Sequence, residues 1–413
     1  MLHIPDKKNS YKDLEIGTFS PPKILHLPLS TFGGDLNVMV QKGERVLKHQ
    51  KLAQKEGFFG GNIHAPVSGH IGEFIVANGE PFLELFNDFL DEVVDAKYNL
   101  PTQISDFIQL LQDNGIEGSG GARFPTAAKY NVNEGQIDTL IINGAECEPY
   151  LSADYALMKS YANELSQTLH FIQHLYKIQT IILGIERMHK SLKPLLEKAF
   201  KDFNVEGKIT LLPDFYPQGG ELQLIKSTTG KELKKGTIPS KEGILVSNVA
   251  TVIAMYNAVF KGIPYVRRIV TLYDEHTNSG KNYWIPLGTT IAEILASFFS
   301  ETSSAVSVIM GGPMMGKLVK DEKASVHKGS GGLIRLKKKT NKTESCIGCG
   351  YCVEVCPQNL LPMEFSKNVE RKDANSLKRF HLNDCIECGA CAYICPSHIP
   401  LVQDIKTGKT MLV

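Results

Sequence analysis

The sequence predicts a multidomain protein of mixed α/β and β architecture that ends in a small helical domain rich in cysteine. Three observations predict it. Residues 1–97 carry short strand patterns broken by turn residues, residues 98–262 alternate buried strands with amphipathic helices, and residues 336–413 hold two copies of one cysteine motif. At 413 residues the chain exceeds one ordinary domain, since single cores stop growing at roughly 250–300 residues. A hydrophobic share of 42% and a charged share of 22% are those of a globular protein. The net charge of +1 gives no argument for nucleic acid. No stretch reaches the roughly eighteen unbroken apolar residues of a membrane helix, so other subunits would have to supply any membrane. The segment Met1 to Lys8 is not followed by the apolar run of a signal peptide.

The cysteine motif is the most specific feature. Eight of the nine cysteines fall in two runs of C-x2-C-x2-C-x3-C-P. The first is Cys346, Cys349, Cys352, Cys356 and Pro357; the second is Cys385, Cys388, Cys391, Cys395 and Pro396. That spacing is the ligand set of two cubane [4Fe–4S] clusters. Each iron needs one thiolate, and a tight loop reaches only three corners of a cubane. Cys346, Cys349 and Cys352 are therefore expected on one cluster with Cys395 as the fourth ligand. Cys385, Cys388 and Cys391 take the other with Cys356. The small residues Gly348, Gly350, Gly389 and Ala390 let backbone N–H groups turn toward sulfur. Structural zinc would favour paired C-x2-C units, and a disulfide framework would need a small secreted chain. Thiolates grouped this way point to a reducing compartment and to electron transfer.

The remaining elements follow in chain order. Residues 42–48 and 65–72 read as short strands interrupted by Gly43, Pro66 and Gly69. They resemble the two halves of a lipoyl/biotinyl-type barrel-sandwich domain. The hairpin with its modifiable lysine is missing, which favours a structural platform over a swinging arm. Strands are expected at 138–143 and 180–184 and helices at 162–178 and 191–202, the alternation of a parallel α/β sheet. Residues 268–273 and 282–286, separated by a turn at 278–280, predict a hairpin, and 290–299 a helix. That order suits a β-grasp module over 263–335. Lys337, Lys338 and Lys339 read as a solvated linker into the cluster domain at 336–413.

A glycine-rich segment, Gly118, Ser119, Gly120 and Gly121, opens the α/β region and runs into Pro125 and Thr126. Glycines there let main-chain N–H groups approach a phosphate, and a following helix N-terminus would add its dipole. The pattern is not the G-x-G-x-x-G dinucleotide fingerprint. Asn143, Glu146, Cys147 and Glu148 follow a predicted strand directly, so they emerge at the sheet's carboxyl edge, where ligands lie in open α/β folds. Gly219, Gly220 and Glu221 form a second glycine turn, and Asn248 and Thr251 a third polar loop.

With the double cysteine motif, the segments 118–129, 142–150, 216–225, 247–251 and 311–316 resemble the RnfC (RsxC) family, a peripheral subunit of the bacterial Rnf ion-translocating electron transport complex. The α/β region is similar to the flavin- and NADH-binding subunit of respiratory complex I. The resemblance runs from the barrel-sandwich region to about residue 402. It implies a barrel-sandwich hybrid domain, an FMN/NADH-binding α/β domain, a β-grasp domain of the soluble-ligand-binding type and a two-[4Fe–4S] ferredoxin-type domain. Gly118, Gly120 and Gly121 would then line a pocket for non-covalent FMN and for NAD(H), and Lys129 would neutralise the flavin phosphate. Asn143, Glu146 and Glu148 would face the isoalloxazine and nicotinamide, and Asn248 with Thr251 the ribityl chain or phosphate. Gly220 and Glu221 match a glycine–glutamate pair near the nucleotide. Arg123 departs from the family, which usually has a small residue there; it either pairs with a nucleotide phosphate or blocks close approach. Cys147 is either a redox thiol or a packing thiol.

The expected function is that of an electron-input subunit. Nicotinamide exchanges two electrons as hydride and a cubane takes one, and flavin chemistry joins the two. No acid–base triad or nucleophile is needed. The resemblance places the protein peripherally on the cytoplasmic face of the bacterial inner membrane, with the other Rnf/Rsx subunits as partners and ferredoxin as redox partner. Two alternatives stay open: a soluble RnfC-like reductase of the cobalamin-reductase type, and a flavin-free scaffold that wires partners together.

Overall fold

The computed structural model of the chain describes residues 2–77, 79–95, 99–299, 306–338 and 342–412. The expected domain boundary at 97–98 and Lys339 of the lysine run lie outside the described residues. Among the described residues no helix is long and apolar enough to cross a membrane.

The amino-terminal region is built from two facing sheets. One orders Ile24–Pro28, Glu80–Asn87, Gly69–Ala77 and Arg45–Val46; the other orders Asn37–Val38, Lys51–Lys55 and Gly61–His64. Alternate residues turn inward, as a pleated strand requires. Leu25, Leu27, Leu83 and Leu85 thus meet Leu52 and Ile63 in one core. The strands differ from their expected bounds. Residues 42–48 contribute only Arg45–Val46, and the strand expected at 65–72 starts at Gly69 and runs to Ala77. Pro66 explains the shift, since it has no N–H to give a ladder.

The α/β domain has a four-stranded parallel sheet in the order Gly207–Leu212, Thr180–Glu186, Thr139–Gly144, Ile244–Asn248. Both faces are covered, so its strands are apolar on both sides. Leu140 and Ile142 join the core with the helices Ala162–Tyr176 and Val249–Lys261. Ile141 and Val246 point the other way, to Leu224 and Ile225 of the helix Glu221–Thr229. All the carboxyl ends of the strands therefore open at one edge.

The hairpin Arg267–Asp274 and Ser279–Pro286 leads to the helix Ile291–Phe298, capped by Thr290 Oγ1 accepting from Glu293 N at 3.2 Å. The strands Val306–Met310 and Gly332–Lys337 complete the sheet. The last strand inserts parallel to Arg267–Asp274, giving the order second, first, fourth, third that a β-grasp needs. Lys337 is thus a strand residue, not part of a linker as expected. Gly17–Thr18 adds an edge strand to the same sheet. In the cysteine-rich region the helices Pro362–Glu370, Ala374–Arg379 and Leu401–Thr410 pack around Phe365, Leu377 and Ile405.

Three of these regions meet at a buried charge. Glu117, 1% exposed, accepts from Lys328 Nζ at 3.0 Å and from Arg123 Nε at 3.0 Å. Lys328 is equally buried and also donates to the Asn62 carbonyl at 2.8 Å, in the amino-terminal region. Removing one partner of a buried ion pair leaves the other charge uncompensated, at about 3–5 kcal/mol. Glu117→Ala is expected to lower unfolding free energy by about that amount. Glu117→Ala combined with Lys328→Met should recover much of it, and chemical denaturation of the three proteins measures both effects.

Candidate functional site

The site has two halves, a cysteine-lined cavity and the carboxyl edge of the parallel sheet. Cys385, Cys388 and Cys391 line one cavity together with Cys356 from the first motif. Cys395 from the second motif lies instead with Cys349 and Cys352, whose thiol is pushed up by burial and by those neighbours. Tight turns present the sulfurs: Gly348, Gly350 and Gly389 adopt φ of +70°, +78° and +80°, conformations that cost glycine little. Burial and the adjacent Cys388 and Cys385 push the Cys391 thiol up to about 12, so metal must displace protons on binding. Among the described residues no three histidine, cysteine or carboxylate groups converge as ligands of a single ion. The cysteines are spread around a cavity wall instead. An all-sulfur donor set of this kind fits an iron–sulfur cluster.

At the sheet edge the predicted residues fall into two groups. The first surrounds the amino terminus of the helix Val249–Lys261. Ser119 N donates to Thr251 Oγ1 at 2.9 Å, which seats the glycine loop on that helix. A Cβ on Gly120 would stand 3.8 Å from Asn248 Cβ, and one on Gly121 (φ +99°) would meet nothing within 4 Å. Gly118 N bonds the Phe124 carbonyl at 2.8 Å and closes the loop. The dipole facing the loop therefore belongs to this distant helix; the segment that follows the glycines forms only the short turn Thr126–Tyr130. Asn248 caps the long helix, accepting from Ala250 N at 2.8 Å, and donates to Asp154 Oδ2 at 2.6 Å. Lys129 Nζ reaches the Val246 carbonyl at 2.9 Å and Glu221 at 3.5 Å. Gly220 is the N-cap of the Glu221–Thr229 helix.

The second group follows the strand Thr139–Gly144. Asn143 is the register partner of Asn248 and donates to the Gly219 carbonyl at 2.9 Å. Glu146 accepts from Asp154 N and Tyr155 N at 3.2 and 3.3 Å, capping the helix Ala153–Ser160. Glu148 is occupied elsewhere: its carboxylate accepts from Met314 N at 3.0 Å and Met315 N at 2.8 Å, clamping the 311–316 loop. Arg123 does neither thing expected of it. Its guanidinium bonds Glu117 and the Ser30 carbonyl at 2.6 Å, turned from the loop toward the amino-terminal region. Its φ of +54° gives a physical reason for a family preference for glycine at that position.

Sequence reasoning missed the residues that join these groups. Lys8, 1% exposed, donates to the Glu146 carbonyl and is the cation facing Glu146, Asp154 and Glu186. Burial first, and Asp154 second, push Glu146 up to about 8. Burial, with Glu186 second, pushes the Cys147 thiol up to about 12, which makes it a packing thiol. Gln218, fully buried beside Gly219, has neither amide atom hydrogen-bonded among the described residues. That orphaned donor and acceptor, the open space over Gly121 and the Lys129 cation fit a bound polar heterocycle carrying a phosphate. Phe124 extends from the loop into a cluster of rings with Phe32 at 5.1 Å and Phe59 at 5.8 Å. A separate cavity lined by Leu157, Ala254, Tyr265 and Trp284 lies behind the long helix.

The halves touch directly. Tyr216 Oη donates to the Cys388 carbonyl at 2.5 Å. Leu2, Tyr216, Cys388 and Ala390 form one apolar cluster against which Cys147 and Met314 pack.

Known proteins share this layout. Residues 2–78 match the RnfC barrel sandwich hybrid domain, residues 111–257 the Nuo51 FMN-binding domain and residues 345–399 the 4Fe-4S dicluster domain. The RnfC-type subunit of the Rhodobacter capsulatus ion-translocating oxidoreductase complex is 33% identical over 433 aligned positions, spanning 100% of this chain and 82% of that protein. The Vibrio cholerae protein of the same description is 36% identical over 400 positions, 93% of this chain and 51% of its own length. The chain thus spans about half the length of several curated relatives it matches. Among solved structures, an NAD+-reducing [NiFe]-hydrogenase in its H2-reduced state superposes with a TM-score of 0.54 at 19% identity, covering 76% of this chain and 64% of that one. That likeness is one of fold.

The raised Glu146 carboxyl makes a pH prediction. A group that holds its proton more tightly when folded stabilises fully below its unfolded pKa of 4.5 and loses that contribution as pH rises through about 8. The melting temperature is expected to fall between pH 5 and pH 8.5. Glu146→Gln should flatten that slope, which thermal melts across the range measure.

Proposed function

The chain belongs to the RnfC family of ion-translocating oxidoreductase complex subunits, and from that membership we propose that it is the peripheral electron-input subunit of such a complex. It passes electrons between NAD(H), FMN and two [4Fe–4S] clusters, and on to coupled subunits in the membrane. The reaction is of the ferredoxin:NAD+ oxidoreductase type, with ferredoxin as the soluble redox partner, at the cytoplasmic face of a bacterial inner membrane. The observation that carries the reading is the direct packing of the sheet edge on the Cys388 loop, sealed by the Tyr216–Cys388 bond at 2.5 Å.

Bound flavin would supply the step between a two-electron hydride carrier and one-electron clusters. The residues have separable tasks in this reading. The glycine loop with Asn248 and Thr251 forms the floor for the ribityl phosphate, and Lys129 is its cation. Asn143 and the orphaned Gln218 amide are polar groups for the isoalloxazine edge. Phe124, Phe32 and Phe59 offer ring faces beside the loop on which a nucleobase can stack. Glu148, held by two backbone amides, shapes the pocket wall through the 311–316 loop and does not bind nicotinamide itself.

Two measurements test this. Protein loaded with FMN, iron and sulfide under anaerobic conditions should reduce ferricyanide with NADH; flavin-loaded protein without that activity would remove the nicotinamide half. Lys129→Ala should weaken FMN binding by about tenfold to a hundredfold, the value of a charge-assisted hydrogen bond of about 1.5–3 kcal/mol. It should leave riboflavin binding nearly unchanged, as flavin fluorescence quenching reads. Equal losses for the two flavins would take Lys129 away from the phosphate.

A further inference from the structure

The two cysteine sets sit in different surroundings. Cys388 and Cys391 are buried and Cys356 and Cys385 partly buried, whereas Cys346 and Cys349 are exposed. The buried set is gripped by the flavin-type domain from several directions. Tyr216 bonds the Cys388 carbonyl, and the Met314 carbonyl lies only 2.6 Å from where a Cβ on Gly389 would stand. Gln223 Nε2 donates to the Pro357 carbonyl at 3.3 Å and Lys235 Nζ to the Gln358 carbonyl at 2.6 Å, just past Cys356. Glu148 fixes Met314 in turn, so the sheet edge, the 311–316 loop and the Cys388 loop form one continuous contact. The links around the exposed set stay within its own domain: Glu344 N to the Ser397 carbonyl at 2.9 Å and Ser397 Oγ to the Ser345 carbonyl at 3.0 Å. Beside them Ile347 is 71% exposed and Tyr351 49%.

We propose that Cys356, Cys385, Cys388 and Cys391 form the inner set, the first to exchange electrons with the flavin site. Cys346, Cys349, Cys352 and Cys395 form the outer set, which meets a one-electron redox partner. The order deepens the function proposed above and rests on a flavin binding at the sheet edge. Electron transfer falls steeply with distance, and only the inner set packs on that edge. Each transfer takes one electron from reduced flavin and adds one to the cluster held by the inner set, and no bond to the protein is made or broken. Tyr216 and Met314 are positioning residues, because they hold the Cys388 loop without ligating metal.

The crossing of the fourth cysteines makes the sets separable by substitution. The full chain, Cys349→Ser and Cys388→Ser are reconstituted anaerobically with iron, sulfide and FMN. The variants should each retain about four irons against about eight. Flavin is then reduced either by NADH or directly by light with EDTA, and bleaching of the cluster absorbance is followed by stopped flow. Cys349→Ser should bleach its remaining cluster at a rate within about threefold of the full chain; Cys388→Ser should slow the remaining cluster at least a hundredfold. Equal rates, or the reverse order, would overturn the assignment. If the Cys388→Ser protein does not hold four irons, the unsubstituted chain supplies the test. A chelator with mild oxidant should strip the exposed set first, and the protein left with about four irons should still bleach rapidly. Slow bleaching there would sink the proposal. Sorting by light-reduced flavin without any response to NADH would leave the order standing and remove only the nicotinamide half of the function.

Discussion

The seam between the parallel sheet's carboxyl edge and the Cys388 loop is the constraint on which the redox reading of this chain depends. A parallel sheet gathers its strand ends on one side because every crossover returns the chain in the same direction. Here that side carries Asn143, Cys147, Tyr216 and Asn248, and the cysteine loop closes over part of it. The contact is made of backbone carbonyls, small residues and one tyrosine hydroxyl. Such a surface lets two domains approach closely and excludes water. The glycine at 389 is required on both counts: it holds φ +80°, and a side chain there would strike the Met314 carbonyl.

The same seam is threaded by the start of the chain. Leu2 accepts from Tyr216 N through its carbonyl, Asp6 accepts from Tyr150 N, and Lys8 sits under Glu146. Tyr11 then packs against Tyr273 of the β-grasp sheet, and Gly17–Thr18 pairs at that sheet's edge. A segment of under twenty residues therefore ties the flavin-type domain to the cysteine loop and to the β-grasp module. Lys8 also balances the acids that the sheet edge collects. Without it Glu146, Asp154 and Glu186 would bury negative charge with little to offset it, and burial already pushes all three carboxyls upward.

A second buried charge organises the opposite side of the glycine loop. Glu117 stands at the base of that loop, where it pairs with Pro125 across an isolated bridge. It receives Lys328 from the β-grasp region and Arg123 from the loop itself. The loop is thereby held between the helix Val249–Lys261 and the amino-terminal sheets. Buried ion pairs of this kind add little net stability but select one arrangement. For a loop meant to meet a ligand through its backbone, a fixed shape is the useful property.

The cysteine spacing alone carried the cluster type and the pairing of the fourth ligands, because a cubane's size dictates how few residues can separate its ligands. The strand and helix alternation likewise carried the parallel sheet, since apolar strands covered on both faces have few other homes. Resemblance supplied the division into barrel-sandwich, flavin-type and β-grasp regions. What stayed hidden were pairings over long sequence distance between residues with no pattern of their own. Lys8 is one lysine in a polar amino terminus until it is seen beneath Glu146, and Glu148 is part of a polar loop until Met314 and Met315 claim it. Arg123 lies in the glycine loop and so reads as facing the nucleotide, yet a left-handed φ turns it toward Ser30. Local spacing in the sequence determines which chemistry can be built. Which charges are buried together, and which cysteine set faces the flavin edge, follows from contacts over a hundred residues or more, decided only when the domains pack.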